Sequence, residues 1–275
     1  MIDLNSPLAS RCRTAVFVVA LSTSTSAFSA DVASINKDGG CPDCDLRLME
    51  LRGLKIDGGN FSDTVLREAD MKEVELTNSD FRGADLRRTE LEKSDLTGSD
   101  FSSASMRAVD MEKARLDGAK FVKADLRDAD LNDTQLNDAD FSGSDVRNSS
   151  FIRAIAKNVI FKNSKMDQTD FERVVLNGAN FDNARLKYSD FDRVSAKGAS
   201  FESADLTGVR FSSADLTGAN LKGANLEGAL LRHTRLAGAD LSGANGMSME
   251  RIMGACGDEN TKLPRGITLK PCSGE

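Results

Sequence analysis

The sequence predicts an all-β solenoid with four faces, in which the chain turns a corner every five residues. Three observations carry this reading. From Thr64 to Ala244 every fifth residue is Ala, Ser, Thr or Val. Two places after each small residue stands a large apolar one, in a frame that runs from Leu46 to Leu241 and is broken only by Ala156 and Ala196. Phe recurs every twenty residues, at 61, 81, 101, 121, 141, 161, 181 and 201. Helices space apolar residues about 3.6 apart and strands about 2 apart, so a strict five fits neither. Four fives make twenty, which closes one four-sided coil and stacks equivalent residues at a strand spacing of about 4.8 Å.

The core follows from the same frame. Every Phe beyond residue 30 lies in an inward position. A second Phe column, at 151, 171, 191 and 211, runs ten residues out of phase and so on the opposite face. Ala156 and Ala196 fall in this stretch, where close packing leaves less volume beside paired rings. The corners are legible on one face, where the outward turn residue is Gly58, Asn78, Gly98, Gly118, Asp138, Asn158, Gly178, Gly198, Gly218 or Gly238. Gly, Asn and Asp accept positive φ, as the third residue of a type II turn requires. The face of the first Phe column is mixed there (Asp63, Ser103, Lys123), which leaves its corner open.

Runs such as Ala204-Asp205-Leu206-Thr207-Gly208 and Ala219-Asn220-Leu221-Lys222-Gly223 resemble the A(D/N)LXX unit of pentapeptide-repeat proteins. The resemblance covers residues 44–245. It implies a right-handed quadrilateral β-helix, and the handedness rests on it alone. Forty inward positions over four faces make about ten coils and a rod about 45–50 Å long.

The ends do not share the repeat. In residues 1–30, Arg11 and Arg13 precede an apolar run over 14–21 and small residues through Ala30, the layout of a signal peptide cleaved near 27–30. Residues 31–43 read as a linker and lid. Residues 246–275 read as a cap, because a bare solenoid end exposes an unpaired edge. Within it, 248–256 predicts a short helix with Ser248 as N-cap and Met249, Ile252, Met253 and Cys256 facing inward. That helix is also a candidate homodimer contact. Of five cysteines, Cys12 would leave with the signal peptide. Cys41, Cys44, Cys256 and Cys272 remain, an even number that points to disulfides in an exported chain. Cys256–Cys272 is the expected pair, with Cys41–Cys44 across a short loop. The rod separates the two pairs, which excludes a shared zinc site.

No nucleotide loop or Ser/His/Asp grouping is present, and a filled rod offers no cleft that tunes catalytic groups. The sequence therefore predicts no enzyme, cofactor, metal or small-molecule substrate. The single histidine, His233, is outward-facing. One face stacks Arg47, Arg67, Arg87, Arg107, Arg127 and Arg147, a candidate anion-binding ladder. Asp45, Asp85, Asp125 and Asp145 run beside it and make it alternatively a self-neutralising ladder, with Arg67 and Arg107 the least compensated. The opposite face is acidic, with Glu50, Asp70, Glu90, Asp110, Asp130, Asp170 and Asp190 in column.

Resemblance to acidic family members that imitate DNA implies gyrase or another topoisomerase as a partner for a cytosolic rod. The net charge of −7 becomes −8 when residues 1–30, with two Arg and one Asp, are removed. This is mild beside DNA, which carries about one charge per 1.7 Å. The preferred reading is an exported, periplasmic or secreted scaffold that binds protein and not nucleic acid. An ice-binding plate is disfavoured because no face carries a regular Thr column.

Overall fold

The computed structural model describes residues 32–272; the expected signal segment and Asp31 lie outside them. The pentad sets the hydrogen bonding. An inward residue donates its N–H to the next coil (Leu46 to Val65 O, 2.8 Å), as does the outward turn residue (Leu48 to Arg67 O, 3.1 Å). The residue before the inward one donates the opposite way (Val65 to Cys44 O, 2.8 Å). The result is parallel pairing between residues twenty apart, from Gly40–Asn60 through Asn225–Asn245, on four faces.

All four corners share one conformation. Every residue at a number ending in 3 or 8, from Asp43 to Gly243, has φ between +52° and +73°. The residue before it has no positive φ, which makes the turn type II. A turn bond closes many of these corners, as from Met49 N–H to Leu46 O. The mixed face is thus no exception: Asp63, Ser103 and Lys123 sit at +54°, +62° and +59°. Leu48, Tyr188 and His233 adopt the left-handed region too. It costs such residues on the order of 1 kcal/mol, which the turn bond and the inter-coil bond of the same residue offset.

The core is two columns of rings. In the first, from Phe61 to Phe201, successive centroids lie 4.4–5.1 Å apart. In the second the spacing is 4.7–5.2 Å. From Phe141–Phe151 to Phe201–Phe211 the columns meet edge to face at 5.7–6.1 Å. Ala156 and Ala196 are fully buried in this doubly aromatic stretch. Ser and Thr share the small inward slot with Ala because their hydroxyls find partners. Thr64, Thr89, Ser94, Ser99, Ser149, Thr169, Ser189 and Thr234 each donate to a carbonyl one coil back, at 2.5–3.0 Å. This removes most of the cost of burying a hydroxyl.

The N-terminal lid contains a helix, α1 (Val32–Asp38), whose Ile35 is buried against the core. Gly39 has φ +70°, and Gly40 N–H returns to Ile35 O at 2.9 Å, a Schellman ending. A Cβ on Gly40 would collide with the backbone of Asn60. Residues 41–44 already form a corner, with Pro42 second in the turn and Asp43 at φ +58°. The Cys-x-x-Cys spacing is therefore the spacing of a turn, and its Cα atoms lie 5.6 Å apart.

The C-terminal helix expected over 248–256 is not formed; the segment is turns. The last coil acts as a template instead. Its inter-coil acceptors run one residue later at Arg251 and Cys256, and two later at Lys262, than the repeat would place them. Ile252 and Ala255 fill the inward slots, and Thr261 donates to Leu236 O at 3.0 Å like the hydroxyls above. Gly246 and Gly254, both at φ +78°, take the chain out of helical space. Unpaired edge groups of the last coil outcompete a weakly amphipathic stretch of nine residues. Met249 and Met253 are left exposed, so the helical surface expected to make a dimer is absent. Strands β1 (Cys256–Gly257) and β2 (Lys270–Pro271) pair in parallel and bring Cys256 and Cys272 to a Cα separation of 4.7 Å.

Phe121 lies mid-column. Phe121→Ala is expected to cost about 3–5 kcal/mol in denaturant unfolding, and outward Ser102→Ala far less; a loss under about 1 kcal/mol at Phe121 contradicts the ring-stack account.

Candidate functional site

The pentad accounts for four of five backbone N–H groups. The fifth, on the residue after the inward one, has neither an inter-coil nor a turn partner. Every Asp or Asn at a number ending in 0 or 5, from Asp45 to Asp240, accepts that N–H two residues on through Oδ1. Glu50, Glu75 and Glu90 occupy the same slot without making this bond. A second device appears where the slot holds Gln135, Ser150, Ile155, Arg185, Ser195, Ser200 or Arg210. There an Asp or Asn one coil back accepts the N–H instead, as Asp117 does for Asn137 and Asp192 for Ser212.

Most of the aspartates thus serve the corners. In the acidic column, Asp70, Asp110, Asp130, Asp170 and Asp190 all hold a turn N–H. Burial pushes the Asp110 and Asp190 carboxyls above the usual carboxylate value. Arg210 adds ion pairs to Asp190 and Asp192, at 2.5 and 2.8 Å.

The arginine ladder is fully paired. Arg47, Arg87, Arg127 and Arg147 fold onto the Asp of their own pentad, at 2.5–2.7 Å. Arg67 and Arg107, expected to be the least compensated, reach into the next coil to Asp85 at 2.7 Å and Asp128 at 2.9 Å. Asp85 serves Arg67 and Arg87 together, and the Arg87 guanidinium leads in holding its carboxyl well below the usual range. Sequence columns could not show this, because reach across coils depends on side-chain direction. Arg67, Arg87, Arg88 and Arg107 nevertheless line one groove together with Ala108 and Asp128. His233 lies at a corner beside Gly254, and among the described residues no side-chain hydrogen bond or ion pair engages its ring.

A model described as the pentapeptide repeat region matches residues 94–171 and 164–241. The chain belongs to the pentapeptide repeat family. A second model, pentapeptide repeats in eight copies, matches 44–83 and 59–98. Among solved structures, this pentapeptide-repeat chain is similar to HetL, a protein involved in heterocyst differentiation regulation from the cyanobacterium Nostoc, at 25% identity. The match covers 82% of this chain and 92% of HetL, with a TM-score of 0.41. It is similar to a thylakoid-lumen pentapeptide repeat protein of Arabidopsis thaliana at 26% identity, over 38% of this chain and 71% of that one, with a TM-score of 0.36. QnrB1, a plasmid-mediated fluoroquinolone resistance protein, matches at 20% identity over 78% and 94% of the two chains, with a TM-score of 0.31. No curated protein matches the chain.

The capping account separates charge from shape at Asp140, which holds Ser142 N–H at 2.8 Å. Asp140→Asn keeps an acceptor oxygen and is expected to be near neutral, whereas Asp140→Ala loses about 1 kcal/mol. Equal thermal stability of the two variants would count against capping.

Proposed function

We propose that this pentapeptide-repeat protein is a non-enzymatic, exported scaffold that presents rigid solenoid faces to a protein partner in the periplasm or outside the cell. The observation that carries the reading is the use of its polar groups. The inward positions are filled by packing, and most of the aspartates are engaged as corner caps or ion-pair partners. What remains outward is a stiff, regularly spaced surface, suited to positioning other molecules. The signal-like order of residues 1–30 and the two cysteine pairs at the ends support export. A C-terminal disulfide would tie the cap to the last coil and add on the order of 3 kcal/mol by the loop-entropy account.

The competing reading, a cytosolic DNA-like rod acting on gyrase, draws on the acidic column. Its aspartates hold turn N–H groups, burial raises the carboxyl pKa of Asp110 and Asp190 above the usual value, and Arg210 pairs with Asp190. They form a structural row more than an exposed polyanion.

Two measurements test the proposal. Protein recovered from the periplasm or medium is expected to begin near residue 30 and to show few free thiols without reductant, with a peptide linking Cys256 to Cys272. An intact Met1 with four free thiols at the remaining cysteines would remove the export reading. In a supercoiling assay, no inhibition of gyrase is expected at micromolar protein; clear inhibition that Asp110→Lys with Asp130→Lys relieves would install the competing reading.

A further inference from the structure

The arginine ladder is uniform in sequence and uneven in space. At Arg127 and Arg147 each guanidinium lies on its own Asp, and the neighbouring corners carry Asp128 and Asn148. At Arg47 the corner is Leu48. Only around Arg87 does a corner add a further cation, Arg88, followed one coil on by the smallest side chain of that corner column between Leu48 and Tyr188, Ala108. The ladder opens there into the groove lined by Arg67, Arg87, Arg88 and Arg107.

The carboxylates of this region hold the guanidinium groups in place and leave part of each one free. Arg67 and Arg87 both use Nε and Nη2 toward Asp85, whose side chain is only 18% exposed. Arg107 uses Nε toward Asp128, and Asp128 is held in turn by Asn148. Arg88 pairs with Glu68 through Nη2. Among the described residues no hydrogen bond engages Nη1 of Arg67, Arg87 or Arg107. A guanidinium carries donors along two edges and can serve two carboxylate-like groups at once. Four cations against Glu68, Asp85 and Asp128 leave the groove with one excess positive charge. The side chains that would lose rotamer freedom on binding are already fixed by their acid partners, which lowers the entropic cost of engaging a ligand.

We propose that this groove binds a single oxyanion of the phosphate or sulfate class, held between the terminal edges of Arg67, Arg87 and Arg107 with Arg88 at the rim. The oxyanion is a free ion or a monoester carried on a peptide. Asp85 and Asp128 orient the guanidinium groups, and Ala108 provides the space. The site is local to three coils, unlike a stripe running along the rod. It stands independently of the scaffold reading, since a free ion is enough to occupy it.

Calorimetric titration of the full chain at low ionic strength, with inorganic phosphate as the probe, tests it. Saturable binding is expected, weakened roughly tenfold or more by Arg87→Gln with Arg107→Gln, as loss of two charge-assisted contacts implies. Ala108→Glu fills the groove with a carboxylate without replacing any arginine, at a corner column that already accepts Glu68, and is expected to abolish binding while leaving the thermal transition in place. Arg153→Gln, paired to Asp133 on another face, is the control and is expected to bind as the parent does. A phosphoserine peptide that binds more tightly than inorganic phosphate, with its unphosphorylated form silent, identifies a peptide-borne monoester; equal or weaker binding identifies the free ion. No saturable phosphate binding by the parent protein, or unchanged binding in folded Ala108→Glu, overturns the proposal.

Discussion

The structure depends on parallel hydrogen bonding between residues twenty apart, and that bonding tolerates only one corner. A coil can register on the next only if each face advances by five residues and each turn uses the same geometry. One residue per pentad must then take a positive φ, whatever its side chain. Gly, Asn and Asp meet this at low cost, and Leu48, Tyr188 and His233 meet it because the register around them is fixed on both sides. The same regularity places ring on ring in the core, so that dispersion and the ladder reinforce one another.

Regular turns leave a regular deficit, one N–H per pentad. Its recurrence explains the (D/N) of the repeat more economically than surface charge does. The cap must be short enough to return to a donor two residues on, which Asp and Asn are and Glu is not. At seven slots that hold neither residue, a carboxylate or amide oxygen from the coil below accepts the bond instead. The aspartate content of the molecule is thus largely a by-product of corner capping. Its arginines answer that acidity, in own-pentad pairs such as Arg127–Asp125 and cross-coil pairs such as Arg67–Asp85.

The two ends show how a solenoid is stopped. At the start, α1 lays Ile35 on the core and Gly39 and Gly40 turn the chain into the first coil, where Cys41 and Cys44 stand on either side of a corner. At the finish, the last coil imposes its pairing on residues whose spacing could equally serve a helix, and the frame slips by one residue and then by another before β1 and β2 close the cap.

The sequence by itself determined the period, the inward set and the stacking of Phe61 through Phe201, because a solenoid core depends on spacing alone and spacing is visible in one dimension. It also determined the corner on the face of Gly58 and Gly98, where composition was pure. The other corners were hidden by tolerant residues such as Lys123, since the φ they adopt is imposed by register and not by their own preference. Tertiary structure decided the fate of 248–256, where an unpaired edge overrode local pattern. It decided the partners of Arg67 and Arg107 as well, because a long side chain chooses between coils and columns read from sequence contain no third dimension. The groove at Ala108 belongs to that second class: it exists only where neighbouring corners, far apart in sequence, are brought side by side.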